Sequence, residues 1–243
     1  MLDEYAGARK SLHPGVQAGA AVVLVAAVLG GMWGVGIFDV KPADSKPATC
    51  NVSVSVTGTS TTEKAAPTTT PSTLPATRAS AAQLCAALNR SDLPVLLGTP
   101  DEHVLGASGS TSKFTSAGGA ETLTPQADVQ TQTYSLELTG NDDHLTVTQA
   151  KPFLGGTAQA TSVLGHPAVL YSDRTIAFTL GGGKGGTGPG GIARTLMVAR
   201  SAKDGGGSFE IALWRQDDVL PDDSALMRVA EQVLPTLPGW SNG

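Results

Sequence analysis

The segment that most constrains this chain is residues 15–38, a run of 24 residues without a charged side chain. As an α-helix it rises about 36 Å, which is enough to cross the roughly 30 Å hydrocarbon core of a bilayer with some tilt. A cleavable signal peptide usually has a shorter apolar core, of about 7 to 15 residues, and a small-residue cleavage motif. The exit from this segment, Gly34–Asp39, offers no such motif. The sequence therefore predicts an uncleaved transmembrane helix over residues 15–38, after a cytoplasmic tail of residues 1–14.

The charges that flank this predicted helix decide its orientation only narrowly. Arg9, Lys10 and the α-amino group precede the segment, whereas Lys41 and Lys46 follow it, and positive charge favours the cytoplasmic side. Most of the chain, including its two cysteines, follows the segment. We therefore expect a single-pass protein of the cell membrane, with its N-terminus in the cytoplasm and its C-terminal domain outside the cell.

Four glycines in the segment are spaced for close helix packing. Gly15 and Gly19 are four residues apart, and so are Gly30 and Gly34; this spacing lets two membrane helices approach closely. Glycine is also common in membrane helices in general, so the spacing is equally compatible with a lone helix. The predicted partners of residues 15–38 are therefore the lipid bilayer and, through the glycine face, a second copy in a weak homodimer.

Residues 39–78 have the composition of a tether that contains one short strand. Residues 50–57 alternate between two faces, with Cys50, Val52, Val54 and Val56 on one side, as in a half-buried strand. The following stretch, residues 58–78, consists mainly of Thr, Ser, Pro and Ala and buries too little apolar surface to order itself. We expect a disordered linker there; a glycosylated stalk is the alternative.

The two cysteines, Cys50 and Cys85, both lie on predicted apolar faces. Cys85 belongs to a predicted helix at whose start Ser80 and Gln83 form a capping box. A disulfide would close a loop of about 35 residues and stabilise the domain by roughly 3 to 4 kcal/mol in a loop-entropy description. Two buried free thiols are the alternative, and the choice depends on whether the domain lies on the oxidising side of the membrane.

Residues 79–243 are predicted to form an extracytoplasmic α+β domain. A short helical turn at Ser91–Gly98 follows the first helix, and Asp222–Leu234 has the apolar stripe of a closing helix. Alternating apolar residues predict strands at residues 133–138, 144–148, 168–171, 175–180, 194–202 and 208–215. The expected fold class is α+β: an N-terminal transmembrane helix, a disordered Thr/Pro-rich tether, and a small antiparallel sheet packed by an N-terminal and a C-terminal helix.

Three stretches, together with the predicted anchor and tether, resemble a known group of proteins. They are LCAALNRSDLPVLLGTP from Leu84, LGHPAVLYSD from Leu164 and DDSALMRVAEQVLPTLPGW from Asp222. In this order they look like a family of actinomycete single-pass membrane proteins of unknown function, and they are loosely similar to α+β domains of actinobacterial envelope lipoproteins and sensors. The resemblance spans most of residues 80–243. It implies an extracytoplasmic location and a compact sandwich, and it carries no catalytic residue.

The glycine run of residues 181–191 is the most conspicuous motif for binding. It contains the spacing Gly183-x-Gly185-x-x-Gly188, which is part of a dinucleotide fingerprint. A phosphate-binding loop needs a helix after it, because the helix N-terminus holds the phosphate; here a strand pattern follows. We therefore interpret the run as a long flexible hairpin loop and expect no cofactor.

The remaining candidates for chemistry are few. His103, His144 and His166 have no second ligand at the spacing of a zinc site, so we expect no metal. The acidic residues near the closing helix are interpreted as charging and capping its start; they are Asp217, Asp218, Asp222 and Asp223.

The net charge of the predicted domain limits the classes of partner that it is expected to bind. Residues 79–243 carry 16 acidic and 10 basic side chains, a net charge of −6, which disfavours nucleic acids and other phosphate-rich polymers. Since the sequence has no catalytic constellation, we expect a non-enzymatic binding or interaction module of the cell envelope that recognises an unknown envelope protein or ligand. The alternatives are an envelope hydrolase whose site is assembled only in three dimensions, and a structural or regulatory partner of another membrane protein.

Overall fold

The computed structural model describes residues 48–56, 78–115, 119, 121–181, 184–217 and 219–241. The predicted tail, the predicted transmembrane helix with Gly15, Gly19, Gly30 and Gly34, and residues 58–77 of the tether lie outside these ranges. Within the described ranges, no helix has both the length and the apolar character needed to cross a membrane. One of the two compact units into which the chain divides comprises Lys41–Arg174 and Gly191–Gly243.

The described part of the chain contains four α-helices and eight β-strands. The helices are α1 (Ala81–Leu88), α2 (Leu93–Leu97), α3 (Val147–Ala150) and α4 (Asp223–Val233). The strands are β1 (Cys50–Val56), β2 (Gly106–Thr115), β3 (Glu121–Gln130), β4 (Tyr134–Asn141), β5 (Gln159–Val163), β6 (His166–Gly181), β7 (Lys184–Ala199) and β8 (Ser208–Arg215). Short 3₁₀ turns, Lys151–Phe153 and Leu234–Thr236, follow α3 and α4.

All eight strands belong to one mixed sheet with the order β1-β2-β3-β4-β8-β7-β6-β5. β1 pairs with β2 in parallel, and the pairs β2–β3, β3–β4, β4–β8, β7–β8 and β5–β6 are antiparallel. The prediction of a small antiparallel sheet packed by two helices is therefore wrong, both in the size of the sheet and in the direction of β1.

Two long strands that the sequence pattern does not reveal, β2 and β3, account for much of this difference. Their sequences, GASGSTSKFT and ETLTPQADVQ, consist largely of small and polar residues, so they lack the apolar alternation by which strands are recognised. The small residues have a packing role, because helix α1 lies close against β2. A Cβ atom at Gly109 would be 2.8 Å from the backbone oxygen of Ala81, so only glycine allows this approach.

The main core lies between the sheet and helices α1, α2 and α4. Successive side chains of a strand point to opposite faces, and we call the face that carries the apolar residues of β3, β4, β7 and β8 the helix face. Its strand residues are Ala127, Val129, Leu136, Leu138, Leu196, Val198, Phe209, Ile211 and Leu213, and the helices add Leu84, Leu88, Leu93, Leu97, Leu226, Val229, Ala230 and Val233. Burying a large apolar side chain is worth about 1.5 to 3 kcal/mol, so this face supplies the main hydrophobic stabilisation.

The predicted helices are confirmed in their positions and caps. Ser80 and Gln83 form the predicted capping box of α1. Gly98 ends α2 in the left-handed conformation, with a φ of 81°. Asp222 caps α4 by accepting a hydrogen bond from the Ser224 N–H. Helix caps can be predicted from sequence because the capping side chain and the backbone N–H that it bonds are only two or three residues apart.

Two local predictions are wrong. Residues 144–148, predicted as a strand, instead lead into helix α3, because Thr146 and Gln149 form a second capping box that favours a helix. The glycine run 181–191, interpreted as a loop, is strand as far as Gly181 and again from Lys184. There the pairing of β6 with β7 outweighs the low strand propensity of glycine.

Cys50 and Cys85 form a disulfide, which confirms the first of the two predicted alternatives; their Cα atoms are 6.1 Å apart. The bond joins the edge strand β1 to helix α1 on the helix face. Close to it, the Asn89 side chain donates a hydrogen bond to the Ala48 carbonyl oxygen at 2.6 Å. β1 is therefore fixed to the domain by a covalent bond as well as by its ladder with β2.

Candidate functional site

The face of the sheet opposite the helices carries polar and acidic side chains. Because side chains alternate along a strand, the residues between the leucines and phenylalanine of the helix face point here. Three of them are acidic: Asp128 from β3, Glu137 from β4 and Glu210 from β8. We call this surface the polar face and these three residues the acidic cluster.

The register of the ladders brings the acidic cluster together. Asp128 lies directly opposite Glu137, and Glu210 lies opposite Thr139, which makes it the diagonal neighbour of Glu137. Directly opposite Cβ atoms are about 4.5 to 5.5 Å apart and diagonal neighbours about 7 to 8 Å apart. Three adjacent strands therefore place Glu137 between Asp128 on one side and Glu210 on the other.

Burial and mutual repulsion change the acidity of Asp128 and Glu137. Desolvation raises the pKa of Asp128 to about 6, although the Gln126 side-chain amide donates a hydrogen bond to it at 3.2 Å. Desolvation, followed by the charges of Asp128 and Glu210, raises the pKa of Glu137 well above its ordinary range, and a hydrogen bond from Thr139 offsets only part of this. These carboxyl groups therefore hold protons at pH values where exposed carboxyls are ionised.

Glu210 is buried with part of its carboxylate unpaired. Desolvation raises its pKa, the nearby acids Asp173 and Asp143 raise it further, and the Tyr171 hydroxyl of β6, within hydrogen-bonding reach, lowers it. Within the described part of the chain, the buried Oε2 atom of Glu210 has no hydrogen-bond partner. Leaving a buried acceptor unpaired costs about 1 to 3 kcal/mol, so this atom is poised to accept a hydrogen bond from a donor that the domain itself does not supply.

The basic side chains that form ion pairs do so elsewhere. Among the described residues, the pairs are Arg78–Asp142, Arg200–Asp142, Arg90–Asp92, Lys113–Glu121, Arg194–Asp223 and Arg215–Asp217. No member of the acidic cluster takes part in any of them. The negative charge of the cluster is therefore left without a neutralising side chain in these parts of the chain.

Helix α3 covers the β6–β7 side of the polar face. Val147 of α3 packs with Tyr171 and Met197 in a second, smaller core. The helix is capped from a distant loop, since the Asp204 carboxylate accepts from the backbone N–H groups of Val147 at 2.8 Å and Thr148 at 3.0 Å. Asp204 has a φ of 50°, which is uncommon for a residue with a side chain. This loop therefore holds α3, and through it Tyr171, beside the acidic cluster.

On its other side the acidic cluster is continued by small polar residues. Ser108 of β2 lies opposite Asp128, and Asn51 of β1 lies opposite Ser108. One aromatic residue, the half-buried Trp214, lies opposite Ser135 at the β4–β8 ladder. Hydroxyl, amide and carboxyl groups beside an indole ring are a combination found where polar organic ligands bind.

The histidines considered from the sequence are not brought together. The Nδ1 atom of His103 is 3.1 Å from the Gln132 side-chain amide. The buried His166 stacks on Trp240, with ring centroids 3.7 Å apart, and its Nδ1 atom is 2.8 Å from the Ala199 carbonyl oxygen. His144 is exposed in the segment between β4 and α3. Among the described residues, no group of three or more His, Cys, Asp or Glu is arranged to hold a metal ion.

The acidic residues considered near the closing helix have structural roles. Asp217 pairs with Arg215 at 2.6 Å, and this pairing lowers the pKa of Asp217 to about 2. Asp222 caps α4, and Asp223 receives both Nε and Nη2 of Arg194. The contacts of Asp222 and Asp223 agree with their interpretation as helix-start charges, whereas Asp217 pairs with Arg215 instead and Asp218 lies outside the described residues.

Sequence reasoning missed the acidic cluster itself. Glu137 and Glu210 stand between apolar neighbours in predicted strands, but such alternation is typical of any sheet with one solvated face. Asp128 gives no signal because β3 is not predicted as a strand. Only the register of three strands, which depends on long-range pairing, places these residues side by side.

Comparison with known proteins identifies the family. The family model of DUF6215, a family of unknown function, matches residues 9–157, which is more than half of the chain. The chain belongs to the DUF6215 family. The region matched in this DUF6215 protein includes both cysteines, Asp128 and Glu137, and it ends before Glu210. The expectation of a family of unknown function is thereby confirmed. No curated protein and no solved structure matches the chain significantly.

Proposed function

We propose that this DUF6215 protein is a membrane-anchored, extracytoplasmic binding module of the cell envelope, and that the acidic cluster is the centre of its binding surface. The observation that carries the proposal is the cluster of Asp128, Glu137 and Glu210 on one sheet face, with no ion pair to a basic side chain among the described residues. Like charges directly opposite in a sheet are destabilising. A partner that neutralises these charges would offset this cost when it binds. Folding alone does not explain why the acids lie together.

The proposed location rests on two further observations. Residues 15–38 are long and apolar enough to cross a bilayer as a helix, in keeping with the single-pass actinomycete proteins that the sequence resembles. The Cys50–Cys85 disulfide is of a kind that persists in oxidising compartments outside the cytoplasm. Both observations favour a cytoplasmic N-terminus and an external domain.

The location is tested by labelling introduced cysteines in cells that produce the full chain. Lys203 is exposed in the loop between β7 and β8, and Ser11 lies in the proposed cytoplasmic tail. A membrane-impermeant maleimide should label Lys203→Cys in intact cells and Ser11→Cys only after the membrane is permeabilised. The reverse pattern would place the domain in the cytoplasm.

The binding role is tested by sedimenting the purified full chain, held in detergent micelles, with insoluble cell-wall fragments. We expect the unaltered protein to sediment with the walls and Glu210→Gln to bind about tenfold less, the loss expected for one charge-assisted contact. Glu231→Gln, on the exposed side of α4, is the matched control and should bind like the unaltered protein. Equal sedimentation of all three, or none, contradicts the proposal.

An envelope hydrolase is a second candidate, favoured by one feature of the same cluster. Asp128, with a pKa of about 6, faces Glu137, whose pKa is also raised well above its ordinary range; carboxyl groups with raised pKa values serve as general acids in hydrolases. The test is release of soluble fragments from the same cell walls. Release that Glu137→Gln abolishes would establish the hydrolase, and walls that stay intact would exclude it.

A further inference from the structure

We propose that the ligand of the acidic cluster carries a primary ammonium group, which donates a hydrogen bond to Glu210 Oε2 and displaces protons from the cluster as it binds. This inference rests on the proposed function, because it names the chemistry of the ligand for the same surface. It is argued from the unpaired carboxylate oxygen, from the charges around it and from the protons that the cluster holds.

The unpaired carboxylate oxygen of Glu210 favours a small hydrogen-bond donor. Glu210 Oε2 is buried and, in the described part of the chain, has no hydrogen-bond partner. Glu137 lies diagonally across from Glu210 on the neighbouring strand β4, and Asp128 lies one strand further away, opposite Glu137. An ammonium group has three N–H donors on one small centre, so it can serve Glu210 together with a second acceptor beside it. A guanidinium is planar and is better suited to one carboxylate held in its fork.

The charges that surround Glu210 also favour the binding of a cation. The titratable groups that act on it are Tyr171 and Asp173 on β6 and Asp143 after β4, and Glu210 in turn acts on Glu137 of β4. The residues that β7 and α3 bring to this area, Met197, Ala199, Val147 and Ala150, are uncharged. The ionisable groups that the described elements bring to Glu210 are therefore acids and one phenol.

Binding of a cation at this place is coupled to proton release. Burial makes the cluster hold protons, since Asp128 titrates with a pKa of about 6 and the pKa values of Glu137 and Glu210 are raised as well. A cation stabilises the ionised carboxylates and lowers their pKa values, so protons leave as it binds. Affinity should consequently rise with pH through the range in which the cluster ionises.

The experiment is a calorimetric titration of the full chain in detergent micelles with 1,5-diaminopentane, carried out in two buffers of different ionisation enthalpy. We expect binding with release of protons, and no binding of the neutral analogue 1,5-pentanediol. Glu210→Gln should weaken the binding of the diamine about tenfold, whereas Glu231→Gln should leave it unchanged. Thermal unfolding of each variant establishes that it is folded, and Glu137→Gln provides a second test at the same place.

Three results would overturn the inference: equal binding of the diol and the diamine, binding of the diamine that is the same in Glu210→Gln, or binding of Ca²⁺ in place of the diamine. Failure of the inference is separable from failure of the proposed function. If Glu210→Gln no longer sediments with the cell walls, but the diamine neither binds the unaltered protein nor competes with the walls, the binding role is retained and the ligand is not an amine. If the walls do not bind either, both are wrong.

Discussion

Asp128 and Glu137 lie directly opposite each other on adjacent antiparallel strands, on the side of the sheet away from the helices. The cost of holding two acids there is visible in their pKa values, which burial raises to about 6 for Asp128 and well above the ordinary range for Glu137. Part of the folding free energy is therefore spent on keeping this pair in place. The resulting dependence of stability on pH can be measured.

Asp128→Asn is expected to stabilise the protein at neutral pH and not in acid. The carboxyl group has a pKa of about 6 in the fold against an ordinary value of 3.8, so its protonated form favours the folded state. Stability is therefore lost as the pH rises from about 4 to about 6, by at most about 3 kcal/mol. The free energy of unfolding of the variant should exceed that of the unaltered protein above pH 6, and the two should agree below pH 4.

Urea unfolding over this pH range provides the measurement. The control is Asp101→Asn, at an exposed position, which should follow the unaltered protein throughout. If the Asp128→Asn curve runs parallel to the unaltered one at every pH, the assigned pKa is wrong.

Replacing both cysteines by alanine is expected to destabilise the domain by about 3 to 4 kcal/mol, as loop closure over a sequence separation of 35 predicts. The bond also fixes the edge strand β1, so the loss should include this strand. Urea unfolding with and without reductant measures the effect. Reductant should lower the stability of the unaltered protein and leave the Cys50→Ala, Cys85→Ala double variant unchanged; a reductant effect on the double variant would point to another cause.

Gly109→Ala is expected to destabilise the domain by about 1 to 3 kcal/mol, the usual cost of overpacking. The new Cβ atom would lie 2.8 Å from the Ala81 backbone oxygen, so α1 must move away from β2. Gly156→Ala is the matched control, because a Cβ there meets nothing within 4 Å. Thermal unfolding should separate the two variants; similar behaviour would argue against the close approach of α1.

Asp204→Ala is expected to cost about 1 to 2 kcal/mol, because the start of α3 loses its cap. Asp204→Asn keeps an oxygen that can accept from Val147 and Thr148, and asparagine tolerates the positive φ of this position. Its cost should be well under half as large. Amide hydrogen exchange of Val147 and Thr148 reports the cap directly: faster exchange in the alanine variant alone is the expected result, and unchanged exchange in both would contradict the cap.

The helices of this domain could be predicted from sequence because their determinants are local. The Ser80–Gln83 capping box, the stop at Gly98 and the cap at Asp222 all act over a few residues. Thr146 is an exception, because two local signals conflict there. The alternation of Leu145 and Val147 predicts a strand, whereas the capping box of Thr146 favours the helix that is found.

The sheet and the candidate site could not be predicted in the same way because they depend on long-range pairing. β2 and β3 carry small and polar residues that give no alternating apolar signal, and their pairing with β1 and β4 decides how large the sheet is. The neighbourhood of Asp128, Glu137 and Glu210 follows from register, which joins positions up to 82 residues apart. A single strand pattern contains no information about its partner's register.

The position of β1 determines how the residues between it and Arg78 are connected to the domain. β1 is part of the sheet and is bonded through Cys50 to Cys85, so residues 57–77 belong to one covalently closed ring. A protease that cuts this ring produces a protein of two polypeptides that stay together, and it sheds nothing. The two pieces would separate on a gel only after reduction, and the segment that connects the domain to residues 15–38 is therefore residues 39–49 alone.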